Sequence, residues 1–272
     1  GGNIFDFATT SASQKNLAQQ FEAPFKVVQI KPFRNDLFIF GANAIQKAFQ
    51  GEFLYDTEDV TKNVGCIARD SVVEIGGDLL FLAPDGFRPV AGTSRIGDVE
   101  LESVSKPIQV LLKTLIERQT SDNISSCVIR SKSQVRFFIG DPNISVENSF
   151  GIIGGLYDKD GSIKWSHGEL LGIRASCATS EYINTIEHVL HGDFDGKVYR
   201  QERGTSFKGS NILSVYETPF LDFGDTEQRK VIRKLNTFIR AEGPVELFLT
   251  LSYDWGDNAA LTPSTYSQES EG

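Results

Sequence analysis

Short apolar runs separated by turn residues repeat along most of the chain. The first group consists of FKVVQIKPF, LFIFG and AIQKAF, with RND and AN between them. The second group consists of SVVEIG, DLLFLA and FRPVAG, with GGD and PDG as the turns. Later pairs are SSCVIRS with VRFFIGD, FGIIGGLYD with SIKWSHG, and EYINTIEHVLHGD with KVYRQERG. Asp, Asn and Gly tolerate the left-handed backbone conformations that tight hairpin turns require. The pattern predicts an all-β fold built from repeated antiparallel meanders.

The spacing of these units favours a β-propeller-like domain over residues 26–203. Meanders that recur every few tens of residues are typical of propeller blades. A β-sandwich of the same strands is the main alternative.

One stretch with helical spacing interrupts the strands, and it predicts an inserted helix over about residues 105–119. Ser105 is the candidate N-cap and Pro107 lies in the first turn, where proline is tolerated. Apolar side chains recur on one face, which we expect to pack over a sheet. They are Ile108, Leu111, Leu112, Leu115 and Ile116.

The two ends of the chain differ from this pattern. Residues 1–25 are rich in Ser, Thr, Gln and Asn and are predicted to be an arm or linker. Residues 204–257 contain SNILSVYETPFLDFGD, RKVIRKLNTFIRAEG and VELFLTLSYDWGD, which predict longer strands of a smaller C-terminal β module. Residues 258–272 are polar and acidic, and we expect a flexible tail there.

Composition narrows the functional classes. The formal net charge of -9 argues against a general nucleic-acid binder, because phosphate contacts need clustered Lys and Arg. No apolar run approaches the roughly 20 residues that a membrane-spanning helix needs. Three distant cysteines without a CxxC motif predict reduced thiols in a cytosolic setting. A chain that begins with Gly and contains no Met favours an excerpt of a longer polypeptide.

Two Asp-x-Asp-Gly stretches are the candidate metal sites. Asp158 and Asp160 form one, and Asp193 and Asp195 form the other. A calcium site needs about six or more oxygen ligands, and neither stretch supplies the acids of a calcium loop. Hairpin turns are the favoured interpretation, and a calcium-stabilised interaction propeller is kept as an alternative. Turn positions are also predicted at Asp85, Gly86 and Gly196.

Other catalytic signals are weak. His188 and His191 are spaced for a zinc pair only if they lie on a helix, they lack an HExxH arrangement, and His167 is isolated. No nucleophile elbow, phosphate-binding loop or dinucleotide fingerprint is present in the sequence. We therefore expect a protein that is not an enzyme and needs no cofactor.

A basic stretch near the C-terminus is the candidate interface. Arg229, Lys230, Arg233 and Lys234 lie close together, with Arg240 further on. Nucleic-acid binding would call for interleaved aromatic residues in a basic domain. A solvated face, or a contact with an acidic neighbour, is the favoured interpretation.

Two runs carry a family resemblance. Residues 36–107 contain DLFIFGANAIQKAF, an LFLAPDGF hairpin and SVSKPI, and FIFG is interpreted as a turn. Residues 192–235 contain GDFDGKVY, GTSFKG and TPFLDFGD. Together they resemble virion proteins of short-tailed bacteriophages: the propeller-containing tail-tube (nozzle) proteins and the packaged-DNA stabilisation proteins at the head–tail junction. The resemblance extends over about residues 26–257.

The resemblance implies a structural role in the virion. Such a protein is expected to form a homo-oligomeric ring, with a hexamer favoured, next to portal, adaptor or tail proteins. Viral DNA would pass through the ring without sequence-specific binding, and assembly would occur in the host cytoplasm. The resemblance supplies no catalytic residues. The alternative function is a carbohydrate-binding or carbohydrate-active propeller, with Trp165, Trp255 and the tyrosines available for stacking on sugars.

Overall fold

Strands dominate the protein, and the predicted all-β class is confirmed. The computed structural model describes residues 23–51, 55–90, 105–118, 123–160, 162–207, 209–224, 230–240, 245–253 and 266–270. The helix α1 is Gln109–Arg118. The strands are β1 (Val27–Phe33), β2 (Asp36–Gly41), β3 (Ile45–Gln50), β4 (Tyr55–Thr61), β5 (Val73–Ile75), β6 (Asp78–Ala83), β7 (Gly86–Pro89), β8 (Ile124–Ile129), β9 (Gln134–Ile139), β10 (Phe150–Lys159), β11 (Ser162–Leu171), β12 (Cys177–Ile183), β13 (Ile186–Gly192), β14 (Val198–Arg200), β15 (Val245–Leu249) and β16 (Tyr266–Ser270).

The chain divides into a first unit, Gly1–Arg203, and a second unit, Gly204–Gly272. In the first unit, four antiparallel sheets follow one another along the sequence. Sheet I contains β1 to β4, sheet II β5 to β7, sheet III β8 to β11 and sheet IV β12 to β14. Strands that are neighbours in sequence are neighbours in each sheet, so every sheet is a meander. A propeller arrangement of these sheets stays a prediction.

Tight turns join the strands where the sequence supplies residues that accept positive φ angles. Gly76 and Gly77, at φ 62° and 78°, link β5 to β6. Asn184, at φ 58°, separates β12 from β13 and divides a run that the sequence pattern presents as continuous. The FIFG motif was predicted to be a turn, and that prediction is wrong: it lies within β2, because Phe40 and Gly41 still pair with neighbouring strands.

Strand β6 is buried on both faces. Side chains alternate across a strand, and Leu79, Phe81 and Ala83 pack into a core shared with sheet I. Leu80 and Leu82 pack into a second core shared with sheet III. Sheet II is therefore the middle layer between two hydrophobic cores, which explains why DLLFLA is a continuous apolar run rather than an alternating one.

The inserted helix packs as predicted, but its start differs. Leu112 is buried in the core between sheets II and III, and Ile108 and Ile116 pack against that core. A short 3-10 turn, Lys106–Ile108, precedes α1, and the Ser105 side chain does not cap it. The Ser105 hydroxyl instead accepts a hydrogen bond of 2.9 Å from the backbone N–H of Phe87. Ser105 thus fastens the helix to sheet II.

In the part of the second unit that the structure describes, there are fewer strands than predicted. β15 and β16 form a two-stranded antiparallel sheet, and residues 211–222 and 230–240 contain no regular secondary structure. The predicted strands in those two segments are therefore wrong. The flexible tail predicted over 258–272 is also wrong at Tyr266–Ser270, because that backbone pairs with Val245–Leu249. The predicted arm over residues 1–25 lies mostly outside the described residues.

Truncation on either face of β6 is expected to be costly. Phe81→Ala and Leu80→Ala should each lower the free energy of unfolding by about 2–5 kcal/mol, because each leaves a cavity in a different core. Val110→Ala, on the exposed surface of α1, should change it by less than about 0.5 kcal/mol. Urea unfolding of the three variants tests this. A small cost for either β6 variant would mean that one face of the strand is solvated.

Candidate functional site

The junction between sheets III and IV combines buried charge with hydrogen bonds. Val135, Phe137 and Ile139 of β9 face the core shared with sheet II. The alternate residues Arg136 and Phe138 face the other way, toward sheet IV, and both are buried. This strand therefore places a guanidinium among its buried side chains, whereas the buried side chains of β6, from Leu79 to Ala83, are all apolar.

Arg136 holds the end of sheet IV. Its side chain pairs with the carboxylate of Glu202, and its Nη1 donates a 2.6 Å hydrogen bond to the Gln201 side-chain oxygen. The Gln201 side-chain nitrogen lies 3.1 Å from Nδ1 of His191. The His191 ring stacks between Phe138 and Tyr199, at centroid distances of 6.3 Å and 5.3 Å. Polar groups thus join β9 to β13 and to the residues after β14.

Glu202 is stabilised as a carboxylate. Burial acts to raise its pKa, but hydrogen bonds from Lys132 and Arg136 and the charges of both outweigh burial, so the pKa lies below its usual range. Lys132 follows β8 and Arg136 lies on β9, so this one carboxylate bridges two positions of sheet III.

A second carboxylate fastens sheet IV to the same turn between β8 and β9 that Lys132 belongs to. Glu187 of β13 accepts hydrogen bonds from the backbone N–H groups of Arg130 and Ser131, at 2.8 Å and 3.0 Å, and from the Ser131 hydroxyl at 2.6 Å. Burial acts to raise the pKa of Glu187, but these hydrogen bonds lower it overall. The Ser180 hydroxyl also donates to the backbone oxygen of Val128. These contacts fix the position of sheet IV on sheet III.

The second Asp-x-Asp-Gly stretch forms the turn between β13 and β14. The Asp193 N–H donates to the Lys197 carbonyl at 2.9 Å, and Gly196 has φ 78°. The Asp193 carboxylate accepts a 2.7 Å hydrogen bond from Nε of Arg174. Asp195 accepts hydrogen bonds from the Lys197 N–H and from the Tyr199 hydroxyl. Protein donors therefore occupy both carboxylates.

The first stretch also lies in a hairpin. Asp158 is in β10, and Asp160, at φ 56°, is in the turn before β11.

Asp85, another predicted turn residue, lies in the turn before β7, where it pairs with Arg88. Among the described residues, no group of three or more His, Cys, Asp or Glu side chains could hold a metal ion.

The histidines lie apart from one another. His188 and His191 are on one strand, β13, and their ladder partners are Glu181 and Ala178. An odd separation along a strand puts two side chains on opposite faces, so these two cannot share a zinc ion. His167 stacks on Trp165, and burial lowers its pKa.

The three thiols differ in exposure. Cys66 and Cys127 are buried and Cys177 is exposed, and all three are free. Burial raises the pKa of Cys66 and raises the pKa of Cys127 to about 11. Thiolate chemistry at neutral pH is therefore disfavoured at both buried positions.

The basic stretch lies in the second unit. Lys230, Arg233 and Lys234 are exposed and belong to a segment without regular secondary structure, and Arg229 lies outside the described residues.

An apolar gap lies beneath α1. It has a volume of about 10 Å³ and is lined by apolar side chains that include Leu82, Leu112 and Phe137. This volume is at the lower limit for one water molecule, so the gap is a packing defect in the core and not a ligand site.

Comparisons with known proteins assign no family to this chain. No protein-family model matches the chain, and no curated protein matches it. Among the described residues, no helix is long and apolar enough to cross a membrane.

Sequence reasoning missed the residues that matter most at the junction between sheets III and IV. Arg136, Glu187 and Glu202 are far apart in sequence, and only their fold brings them together. The available signal was Arg136 itself, a charge at the centre of the apolar strand QVRFFI. A buried arginine requires a partner.

Glu202→Gln is expected to destabilise the first unit by about 1–3 kcal/mol at pH 7, because it leaves the buried Arg136 guanidinium without its carboxylate. The pKa of Glu202 is lower in the folded chain than in the unfolded chain, so the ionised carboxylate stabilises the fold at any pH above the unfolded-state pKa. This stabilisation is lost as the pH falls through the folded-state pKa. The difference in urea-unfolding free energy between wild type and variant should therefore shrink below about pH 4.

The exposed Glu74→Gln on β5 is the matched control. It should change the free energy of unfolding by less than about 0.5 kcal/mol. A difference for Glu202→Gln that stays constant down to low pH would show that charge pairing does not account for its effect.

Calcium should leave the protein unchanged. Arg174, Lys197 and Tyr199 already contact the carboxylates of Asp193 and Asp195. A calcium ion therefore finds no set of free ligands there, and its addition should not shift the folding equilibrium. The melting temperature should be equal in excess chelator and in millimolar calcium. A calcium-dependent rise that Asp195→Asn abolishes would restore the metal-site hypothesis.

Proposed function

We propose that the protein is a structural component of a tailed-phage virion. It would form part of the tail tube (nozzle) or of the head–tail connector ring through which DNA passes. The protein would act by assembly and not by catalysis. The resemblance of residues 36–107 and 192–235 to tail-tube and packaged-DNA stabilisation proteins motivates this role.

The observation that carries the proposal is the serial packing of sheets. Sheet II shares one core with sheet I and another with sheet III, and sheet IV is fastened to sheet III by hydrogen bonds. Sheets II and III thus each use one face for the preceding sheet and the other for the next. A protein built this way presents sheet faces at its ends, which are suited to repeated heterologous contacts in a ring.

The outer face of sheet IV supports the same role. Ile183 and Ile186 are cross-strand partners on that face, and both are more than half exposed. Val198 of β14 is exposed to 72%. Val198 lies opposite Gly192, at the other end of the sheet from the Ile183–Ile186 pair. Exposed apolar side chains on a sheet face are candidates for contact with a neighbouring subunit. We infer that a neighbouring subunit covers this face.

The net charge of -9 is compatible with a DNA conduit. A negatively charged wall repels phosphate and so disfavours tight, sequence-independent binding of the duplex. The carbohydrate-binding alternative has no comparable support: Trp165 packs against the core and stacks on His167, and Trp255 lies outside the described residues.

The test is the mass and symmetry of the purified chain, by light scattering and negative-stain imaging. We expect rings or short tubes whose mass is a multiple of 30.0 kDa. The double variant Ile183→Gln/Ile186→Gln should shift the mass toward the monomer, whereas Val110→Gln, on the exposed face of α1, should not. A chain that stays monomeric at high concentration would contradict the proposal and direct attention to glycan screening.

A further inference from the structure

Residues 230–240, KVIRKLNTFIR, form an exposed segment of the second unit that is both apolar and basic. Every residue of the segment is exposed, and Val231 and Phe238 are exposed to 80% and 94%. It contains four Lys or Arg residues and no acid. The segment therefore keeps large apolar side chains in water together with a concentrated positive charge.

The spacing of its residues is that of an amphipathic helix, although the segment has no regular secondary structure here. At about 100° per residue, its large apolar side chains fall within a sector of about 120°. They are Val231, Ile232, Leu235, Phe238 and Ile239. The basic side chains occupy the remaining arc of such a helix. They are Lys230, Arg233, Lys234 and Arg240.

A second exposed segment provides an internal comparison. Residues 211–223 also expose large apolar side chains, including Leu213 at 75% and Tyr216 at 90%. That segment contains Glu217 and Asp222 and no Lys or Arg. Apolar exposure is therefore common to both segments, but only residues 230–240 combine it with positive charge.

We propose that residues 230–240 bind an anionic lipid surface and become an amphipathic helix lying in the plane of that surface. The apolar sector enters the boundary between headgroups and acyl chains, and the basic side chains contact the negatively charged headgroups. Folding on binding accounts for helical spacing in a segment that has no helix in the unbound chain.

The arrangement of charge favours lipid over an acidic protein groove. In a groove, basic side chains opposite the apolar sector point away from the partner. At a lipid surface, long Lys and Arg side chains extend along the helix to reach headgroups at the same depth. The inference goes beyond the structural role proposed above and does not depend on it, because a chain that forms no ring can still bind vesicles.

The experiment is sedimentation of the full chain with phosphatidylcholine vesicles, with and without phosphatidylserine. We expect binding to the vesicles that contain phosphatidylserine, weakened by added salt and accompanied by a gain of helical signal in far-UV circular dichroism. Arg233→Glu/Lys234→Glu should weaken this binding at least about tenfold. Phe238→Ser should weaken it as well, because it removes the most exposed apolar side chain of the sector.

Two controls separate the proposal from unfolding and from general stickiness. Arg233→Lys/Lys234→Arg keeps the charge and should keep the binding, and Leu213→Ser, in the acidic segment, should leave it unchanged. All variants should retain the wild-type melting curve. Absence of binding, equal binding to both vesicle types, or self-association that Phe238→Ser abolishes without any vesicle binding would each overturn the proposal. The last result would assign the segment to a second copy of this chain.

Discussion

The burial of β6, the central strand of sheet II, on both faces is the constraint on which the first unit depends. Because side chains alternate along β6, a single strand supplies Phe81 to one core and Leu80 to the other. Neither core exists without this strand, so sheets I, II and III are coupled in one cooperative structure. The inserted helix extends the same arrangement, since Leu112 closes one side of the core between sheets II and III.

Sheet IV is joined to sheet III by ion pairs and hydrogen bonds. Its contacts to sheet III include the Arg136–Glu202 pair and the hydrogen bonds of Glu187. Apolar burial is non-directional, whereas a buried guanidinium accepts partners only in a fixed geometry. The junction between sheets III and IV therefore fixes the position of the last sheet, while the two apolar cores provide most of the stability.

Much of the first unit could be predicted from the sequence because its turns carry a chemical signal. Gly76–Gly77 and Asp195–Gly196 mark hairpins through residues that accept left-handed backbone. β4 was missed because YDTEDVT is an exposed edge strand without an apolar face. Residues 211–222 and 230–240 were wrongly predicted to be strands because their apolar content was assigned to burial that does not occur. The contacts of Glu187 and Glu202 could not be predicted, since they depend on how sheets meet.

The unequal exposure of the three cysteines gives the folded protein a natural chemical handle. Cys66 and Cys127 are buried with raised pKa values, whereas Cys177 is exposed at the start of β12. A maleimide fluorophore added to the native chain will therefore attach at one defined site on sheet IV, without any engineered cysteine. Cys66 and Cys127 become reactive only when their surroundings open, so the position of any further label shows which part of the unit has opened: Cys66 reports on the core shared by sheets I and II, and Cys127 reports on β8.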